Sequence, residues 1–218
     1  MAGCFRGPVK APALQLDVVA LSGASSWEPW LSAEESSRAA AMDQPVLRAR
    51  FVVSRGLRRK ILAAVLGRAP AELAFVEEPG EKPRLRSNDG VDFNLSHAGD
   101  HVALVTGRGA VGVDLEKIRP VRTMTALAAR YFHPEESAAW GALPATEQEE
   151  AFFLLWAARE AAMKCAGTGL ARGLALTRID PAIMGSGRAC GRVGAQELVV
   201  HRADAPPGYV LVTATAAV

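Results

Sequence analysis

Two acidic residues in the segment GVDLE are the first candidates for chemistry in this 218-residue sequence. If the segment is a strand, its side chains alternate, so Gly112, Asp114 and Glu116 share one face, and Val113 and Leu115 share the other with the preceding Val111. The Cα atoms of the two acidic residues are then about 6 to 7 Å apart, two strand steps, so both carboxylates can converge on one hard cation such as Mg²⁺. A solvent-facing strand surface would show the same alternation.

A second group of charged residues lies in the segment WAAREAAMK. Helical spacing places Trp156, Glu160 and Lys164 on one side, with Arg159 beside them. A carboxylate flanked by two cations is suited to binding a metal ion and a phosphate. The alternative is an amphipathic surface helix in which Glu160 and Lys164 form an ordinary pair that contributes a few tenths of a kcal/mol, roughly.

The segment FNLSHAGD places Ser96 and His97 at the end of a predicted strand, where a turn would expose them beside the carboxylates of GVDLE. His97 could bind a phosphate there, or it could be a turn histidine bound to Asp100 or to the backbone. Seven cationic residues and no acidic residue lie between Gln44 and Ala71. Helical rotation distributes these cations over several faces, so only one or two need contact a ligand.

The elements around these residues predict an α+β fold. Apolar periodicity and capping signals indicate a turn followed by a helix over 27–42, with Ser32 and Glu35 in capping-box spacing, and helices over 46–66 and about 147–166. Three short runs, VDFNLS, HVALVTG and GAVGVDLE, predict an antiparallel meander. Strands are also predicted at 14–21 and in LALTRID, AQELVVH and GYVLVTAT, and a surface loop over 77–90.

A weak internal repeat suggests two similar α+β halves. HVALVT at 101–106 aligns without a gap with GYVLVT at 208–213, about half a chain later. We therefore expect halves at about 1–110 and 111–218.

Composition excludes several classes of protein. A net charge of +2 is too small for bulk nucleic-acid binding, so any anion site must be local. No apolar run approaches the roughly 18 to 20 residues that span a bilayer, and the first residues lack the pattern of a secretory leader, so we expect a cytoplasmic protein without membrane partners. Cys4, Cys165 and Cys190 are widely spaced, which favours neither disulfides nor a zinc site.

FNLSHAGD, GVDLE and WAAREAAMKCAGTGL, in this order and at these distances, closely resemble the 4′-phosphopantetheinyl transferases of the surfactin-synthetase-activating type. The resemblance extends over nearly the whole chain and includes RFVVSRGLRRKILA, the EKP loop and YFHPEE. Arg159 departs from it, because the family usually has lysine before the helix glutamate.

The resemblance implies specific roles for these residues. Asp114, Glu116 and Glu160 would bind Mg²⁺, and Lys164 would contact the pyrophosphate of coenzyme A. The 3′-phosphate and its neighbouring groups would be bound by residues of the first half. Arg159 would lie at the edge of the cleft. The residues expected to contact coenzyme A are Arg55, Lys82, Ser96, His97, Arg159 and Lys164. Glu160, Lys164 and Asp114 would be catalytic.

The fold implied is a pseudo-dimer of two similar α/β halves with the active site in the cleft between them, which favours a monomer. The reaction implied is magnesium-dependent transfer of 4′-phosphopantetheine from coenzyme A to a serine of an acyl or peptidyl carrier protein, usually acidic, from fatty-acid, polyketide or nonribosomal peptide synthesis. Glu160 or a metal-bound water could act as the general base. The alternatives are another magnesium-dependent phosphotransferase or hydrolase, or a binding module without catalysis.

Overall fold

The computed structural model of the chain describes residues 14–78, 81–87 and 90–217, without the side chains of residues 170 and 171. Cys4 and part of the predicted loop over 77–90 lie outside the described residues. The strands are β1 (Leu14–Ala20), β2 (Phe75–Val76), β3 (Arg84–Leu85), β4 (Val91–Ala98), β5 (His101–Arg108), β6 (Val111–Lys117), β7 (Thr177–Ile179), β8 (Arg188–Val193), β9 (Gln196–Ala203) and β10 (Tyr209–Ala216). The α-helices are α1 (Ala33–Ala40), α2 (Pro45–Leu66), α3 (Met124–Tyr131), α4 (Pro134–Gly141), α5 (Ala145–Ala166), α6 (Leu170–Leu176) and α7 (Ile183–Ser186).

Local sequence signals explain where the main helices begin and end. The predicted capping box before α1 is confirmed: the backbone N–H of Glu35 donates to the Ser32 hydroxyl, and the Glu35 carboxylate accepts from the backbone N–H of Ser32. Helices α2 and α5 both end at a glycine in the left-handed region, Gly67 with φ 61° and Gly167 with φ 68°.

The strands form two main antiparallel sheets and a short two-stranded one. The first sheet has the order β1-β5-β4, and the second has the order β6-β10-β9-β8-β7. Strands β2 and β3 pair separately. Helix α5 packs closely on β6 and β10 of the second sheet, whereas α2 lies with the first sheet.

Two sequence predictions about strands are wrong in part. The meander ends after β4 and β5, because β6 pairs with β10 rather than with β5. Gly109, with φ 75°, lies in the turn between β5 and β6. LALTRID is divided between the end of α6 and the short strand β7, and β8 was not predicted.

Three apolar clusters hold these layers together. One lies under α2 and the first sheet, one surrounds α5 and the second sheet, and a third joins β5, β6 and β10 through residues such as Val105, Val113 and Leu211. The predicted mixture of helices and sheets is confirmed. The boundary near residue 110 and the similarity of the two halves stay predictions.

No helix within the described ranges is both long enough and apolar enough to cross a membrane.

Candidate active site

Asp114 is the centre of a buried polar cluster contributed by three elements. Its carboxylate, on β6, is 2% exposed. The Oδ1 atom accepts from the Ser96 hydroxyl on β4 at 2.8 Å and from Lys164 Nζ on α5 at 2.5 Å. Lys164 Nζ also donates to Ser96 Oγ at 3.2 Å and lies 3.6 Å from the Glu160 carboxylate. The structure therefore brings together four of the predicted site residues.

Gly112 allows α5 to approach β6 closely enough for these contacts. A Cβ atom at this position would lie 2.0 Å from the Ala161 carbonyl oxygen and 2.6 Å from the Cys165 backbone nitrogen. These distances are far shorter than a van der Waals contact, so a side chain would push the helix away. Because Glu160 and Lys164 are on the same helix, the missing side chain at Gly112 determines their distance from Asp114.

Glu116 is on the same face of β6 as Asp114, and the negative charges of Asp114 and Glu160 act on it. Burial, followed by the charges of Asp114 and Glu160, raises the pKa of Glu116 to about 7. Burial also raises the pKa of Asp114 to about 6, with Glu160 adding to the rise and Lys164 opposing it. Desolvation and mutual repulsion both disfavour the charged carboxylates, so a further cation would relieve the cluster.

The geometry fits a hard cation such as Mg²⁺ at this position. The second carboxylate oxygen of Asp114, Oδ2, is buried and has no hydrogen-bond partner. Among residues 14–78, 81–87 and 90–217, no three Asp, Glu, His or Cys side chains are arranged as a preformed metal cage. Mg²⁺ is commonly bound by one or two carboxylates, with water and substrate phosphates completing the shell. Asp114, with Glu116 and Glu160 nearby, is therefore a suitable partial ligand set.

A cationic cavity of about 430 Å³ is lined mainly by residues of α2 and β4. Its lining includes His97, Arg55 and Arg50 together with the apolar side chains of Phe51 and Leu95. Partial burial, then the charges of Arg50 and Lys164, lower the pKa of His97. The cavity thus combines anion-binding groups with apolar surface that could accept a ring.

Arg50 in this cavity was not singled out by sequence analysis. Its Nε atom is buried without a hydrogen-bond partner, and one terminal nitrogen donates weakly, at 3.4 Å, to the Gly99 carbonyl. The signal that could have found it is the run of cations without acidic residues between Gln44 and Ala71. The sequence of that run does not show which cation is available to a ligand, because several of its arginines pair with other residues of the protein.

Arg55 and its neighbour Arg58 both have partners within the protein, but they differ in whether they also face the cavity. Both terminal nitrogens of Arg55 donate to Glu77, at 2.6 and 2.8 Å, although part of Arg55 still lines the cavity. Arg58 is 1% exposed, bridges Glu35 and Glu77, and lies over the ring of Phe75. Arg58 is therefore a structural cation, whereas Arg55 pairs with Glu77 and also faces the cavity.

Lys82 lies at the junction of β4 and β6. Its Nζ atom forms an ion pair with Asp92 and donates to the Val111 carbonyl at 2.7 Å. The contacts formed by Lys82 are thus with the protein itself. Its predicted contact with coenzyme A stays a prediction; Asp92 and the Val111 carbonyl use two of the three Nζ donors.

The expectation that Arg159 faces the edge of the cleft is wrong. Arg159 is 2% exposed and donates to both carboxylate oxygens of Glu136 at 3.0 and 2.7 Å. It also donates to the carbonyl oxygens of Thr177 and Leu174. Residues adjacent on a helix differ by about 100° in direction, so Glu160 can face the site while Arg159 points toward Glu136 of α4.

Comparison with known proteins identifies the family to which the chain belongs. Residues 110–210, which contain β6 and α5, match the model of the 4′-phosphopantetheinyl transferase superfamily. The chain is 35% identical over 187 residues to the 4′-phosphopantetheinyl transferase HetI of Nostoc sp. strain PCC 7120, covering 82% of this chain and 75% of HetI.

Two further relatives align over shorter regions. The 4′-phosphopantetheinyl transferase psf-1 of Bacillus pumilus is 32% identical over 67% of this chain and 62% of its own length. The transferase AcpT of Escherichia coli K12 is 36% identical over 50% of this chain and 55% of its own. The chain belongs to the 4′-phosphopantetheinyl transferase superfamily, and the family predicted from the three motifs is confirmed.

Proposed function

We propose that this protein transfers the 4′-phosphopantetheine group of coenzyme A to a serine of an apo carrier protein, giving the holo carrier and 3′,5′-ADP. The observation that supports this most strongly is the cluster of Asp114, Glu160 and Lys164 at the contact of β6 and α5, within the region that matches the family. The cluster offers carboxylates for a metal ion and an ammonium group for a phosphate.

Coenzyme A carries a pyrophosphate and a 3′-phosphate, and the site offers separate cations for each. Lys164, next to the carboxylates, would contact the pyrophosphate. His97, Arg50 and Arg55 line the neighbouring cavity and are suited to the 3′-phosphate end, where Phe51 could pack against the adenine ring. Ser96 connects the two groups of cations. Its hydroxyl donates to Asp114, and the next residue, His97, lines the cavity.

Bound Mg²⁺ would neutralise charge on the pyrophosphate oxygens during transfer. The Oδ2 atom of Asp114 would be its first ligand, because this atom is buried without a partner. Glu116 and Glu160 would supply the other protein oxygens.

In the transfer step, the serine Oγ of the carrier attacks the phosphorus that bears pantetheine. The bond between that phosphorus and the bridging pyrophosphate oxygen breaks, and the electron pair leaves with 3′,5′-ADP. The serine proton passes to a base, for which the candidates are the Glu160 carboxylate and a water molecule. Lys164 stabilises the charge that develops on the leaving group. Positioning and neutralisation of charge provide most of the catalysis in phosphoryl transfer.

The carrier would approach over the segment 119–132, which presents cations to solvent. Arg122 and Arg130 are exposed, and Arg119 lies over the ring of Phe153 near Glu116. The apolar residues of this segment mainly pack inward, with Phe132 buried. An acidic carrier would thus be attracted mainly by charge. We also propose that the enzyme works as a cytoplasmic monomer.

Replacement of the carboxylates tests the proposal. Asp114→Ala and Glu160→Ala are expected to lower the rate of transfer by about two to three powers of ten, because each removes a group that stabilises charge. Glu147→Ala, an exposed carboxylate on the same helix, is the matched control and should retain activity. Near-normal turnover of both site variants with saturating carrier would contradict the metal assignment. Binding of labelled coenzyme A without transfer to any carrier would favour a binding module instead.

A further inference from the structure

The two edges of β6 are occupied in different ways. One edge forms a regular ladder with β10, in which Asp114 is opposite Val212. The other edge faces β4 without forming a ladder, although the two strands are in close contact. Backbone groups on a buried edge need partners, and here side chains supply them.

The partners on this second edge come from alternate residues of β4. The backbone N–H of Val111 donates to Asp92 Oδ2 at 3.0 Å, and that of Val113 donates to Asn94 Oδ1 at 3.0 Å. The next residue in the same alternation is Ser96, whose hydroxyl donates to the Asp114 carboxylate. One face of β4 therefore holds the backbone of β6 at two points and the Asp114 side chain at a third.

Asn94 has the most constrained position in this series. It is 6% exposed, and its acceptor oxygen is bonded to the residue immediately before Asp114. Asp92 is less buried and also pairs with Lys82, which donates to the Val111 carbonyl. Shifting β6 along or away from β4 would break these bonds and would move Asp114 relative to Ser96 and Lys164.

We infer that Asn94 is a positioning residue for the metal site: by accepting the hydrogen bond from the Val113 backbone, it fixes β6 so that the free oxygen of Asp114 meets the cation. This inference rests on the proposed function. Residues that orient a metal ligand without touching the metal typically change metal affinity or activity by about 10- to 100-fold when they are replaced.

The test measures binding of Mn²⁺, as a paramagnetic substitute for Mg²⁺, by electron paramagnetic resonance with coenzyme A present. Asn94→Leu removes the acceptor at similar volume and should weaken Mn²⁺ binding by about tenfold or more. Asn94→Asp keeps an acceptor oxygen at the same position, and its added negative charge attracts a cation, so it should bind Mn²⁺ no more weakly than the wild type. Because Asn94 also lines the cationic cavity, coenzyme A binding is measured separately in EDTA, where Asn94→Leu should bind about as well as the wild type.

A control separates positioning from general loss of stability. Leu62→Ala removes a fully buried side chain from the α2 core, away from β6, and lowers stability without touching the junction. It should leave Mn²⁺ affinity unchanged. If Asn94→Leu does not fold, Asp92→Ala tests the same junction from the neighbouring bond and should also weaken Mn²⁺ binding.

Different results would overturn different parts of the account. Wild-type Mn²⁺ affinity in a folded Asn94→Leu protein would refute the positioning role, as would an equal loss in Leu62→Ala. In either case, transfer by the wild-type enzyme would leave the proposed function standing. A wild-type protein that binds no Mn²⁺ with coenzyme A and transfers nothing would contradict the proposed function itself, and the inference with it.

Discussion

Replacing Arg159 with alanine removes the cation from a carboxylate that is itself almost fully buried. Glu136 is 1% exposed and also accepts from the backbone N–H groups of Ile179 at 2.6 Å and His133 at 2.9 Å. Removing one partner of a buried ion pair typically costs about 3 to 5 kcal/mol, since the other charge stays uncompensated. The two backbone donors that remain on Glu136 favour the lower end, about 3 kcal/mol.

This loss of stability should be visible in thermal unfolding. For a chain of this size, 1 kcal/mol shifts Tm by about 2 to 4 °C, so Arg159→Ala should lower Tm by about 6 to 12 °C. Arg159→Lys should also be destabilised, because a single ammonium group cannot reproduce the contacts to Glu136, Thr177 and Leu174. The double variant Arg159→Met, Glu136→Gln should recover part of the loss, because it leaves no unpaired charge.

Steady-state kinetics on the folded protein completes this test. Since Arg159 lies in the interior, the KM for coenzyme A should stay close to that of the wild type in Arg159→Ala at a temperature well below its Tm. An unchanged Tm, together with a KM for coenzyme A raised about tenfold or more, would refute the structural role. That result would instead return Arg159 to the substrate site expected from the sequence.

Three further predictions concern the site and its surroundings. Gly112→Ala should lower stability by about 1 to 3 kcal/mol and slow transfer, as measured by urea unfolding and initial rates, because its Cβ would overlap the Ala161 carbonyl. Replacing Arg122 and Arg130 with Glu should raise the KM for carrier and leave that for coenzyme A nearly unchanged; equal effects on both would point to misfolding or to a phosphate role. The folded-state pKa of Asp114, about 6 against an ordinary 3.8, makes the metal-free protein lose stability as pH rises from about 4 through 6. Asp114→Asn should therefore raise the free energy of unfolding at pH 8 in EDTA by up to about 3 kcal/mol, with little gain at pH 4; equal effects at both pH values would contradict this.

Helix boundaries could be predicted well because their signals are local. The Ser32–Glu35 capping box begins α1, and the glycines at 67 and 167 end α2 and α5; each signal acts within one turn of the chain. Strand alternation was equally informative about which residues share a face, and it correctly placed Asp114 on β6.

Strand partners and buried charges could not be predicted in the same way. The alternation in VGVDLEK is the same whether β6 pairs with β5 or with β10, so the sequence favoured the nearer strand and was wrong. Arg159 and Glu136 are 23 residues apart, and nothing in either segment names the other as its partner. Asn94 was overlooked because its contact, with a backbone N–H of a strand from the other sheet, leaves no pattern in the sequence.

The central claim, transfer of phosphopantetheine to a carrier, is tested most directly by intact mass spectrometry of purified apo carrier proteins. A panel of fatty-acid, polyketide and peptide-synthetase carriers would be incubated with the enzyme, coenzyme A and Mg²⁺. We predict that at least one carrier gains the mass of a single phosphopantetheine group, that the gain requires its acceptor serine, and that EDTA or Asp114→Ala prevents it. Unmodified carriers throughout the panel, with the enzyme folded and coenzyme A bound, would contradict the proposed function.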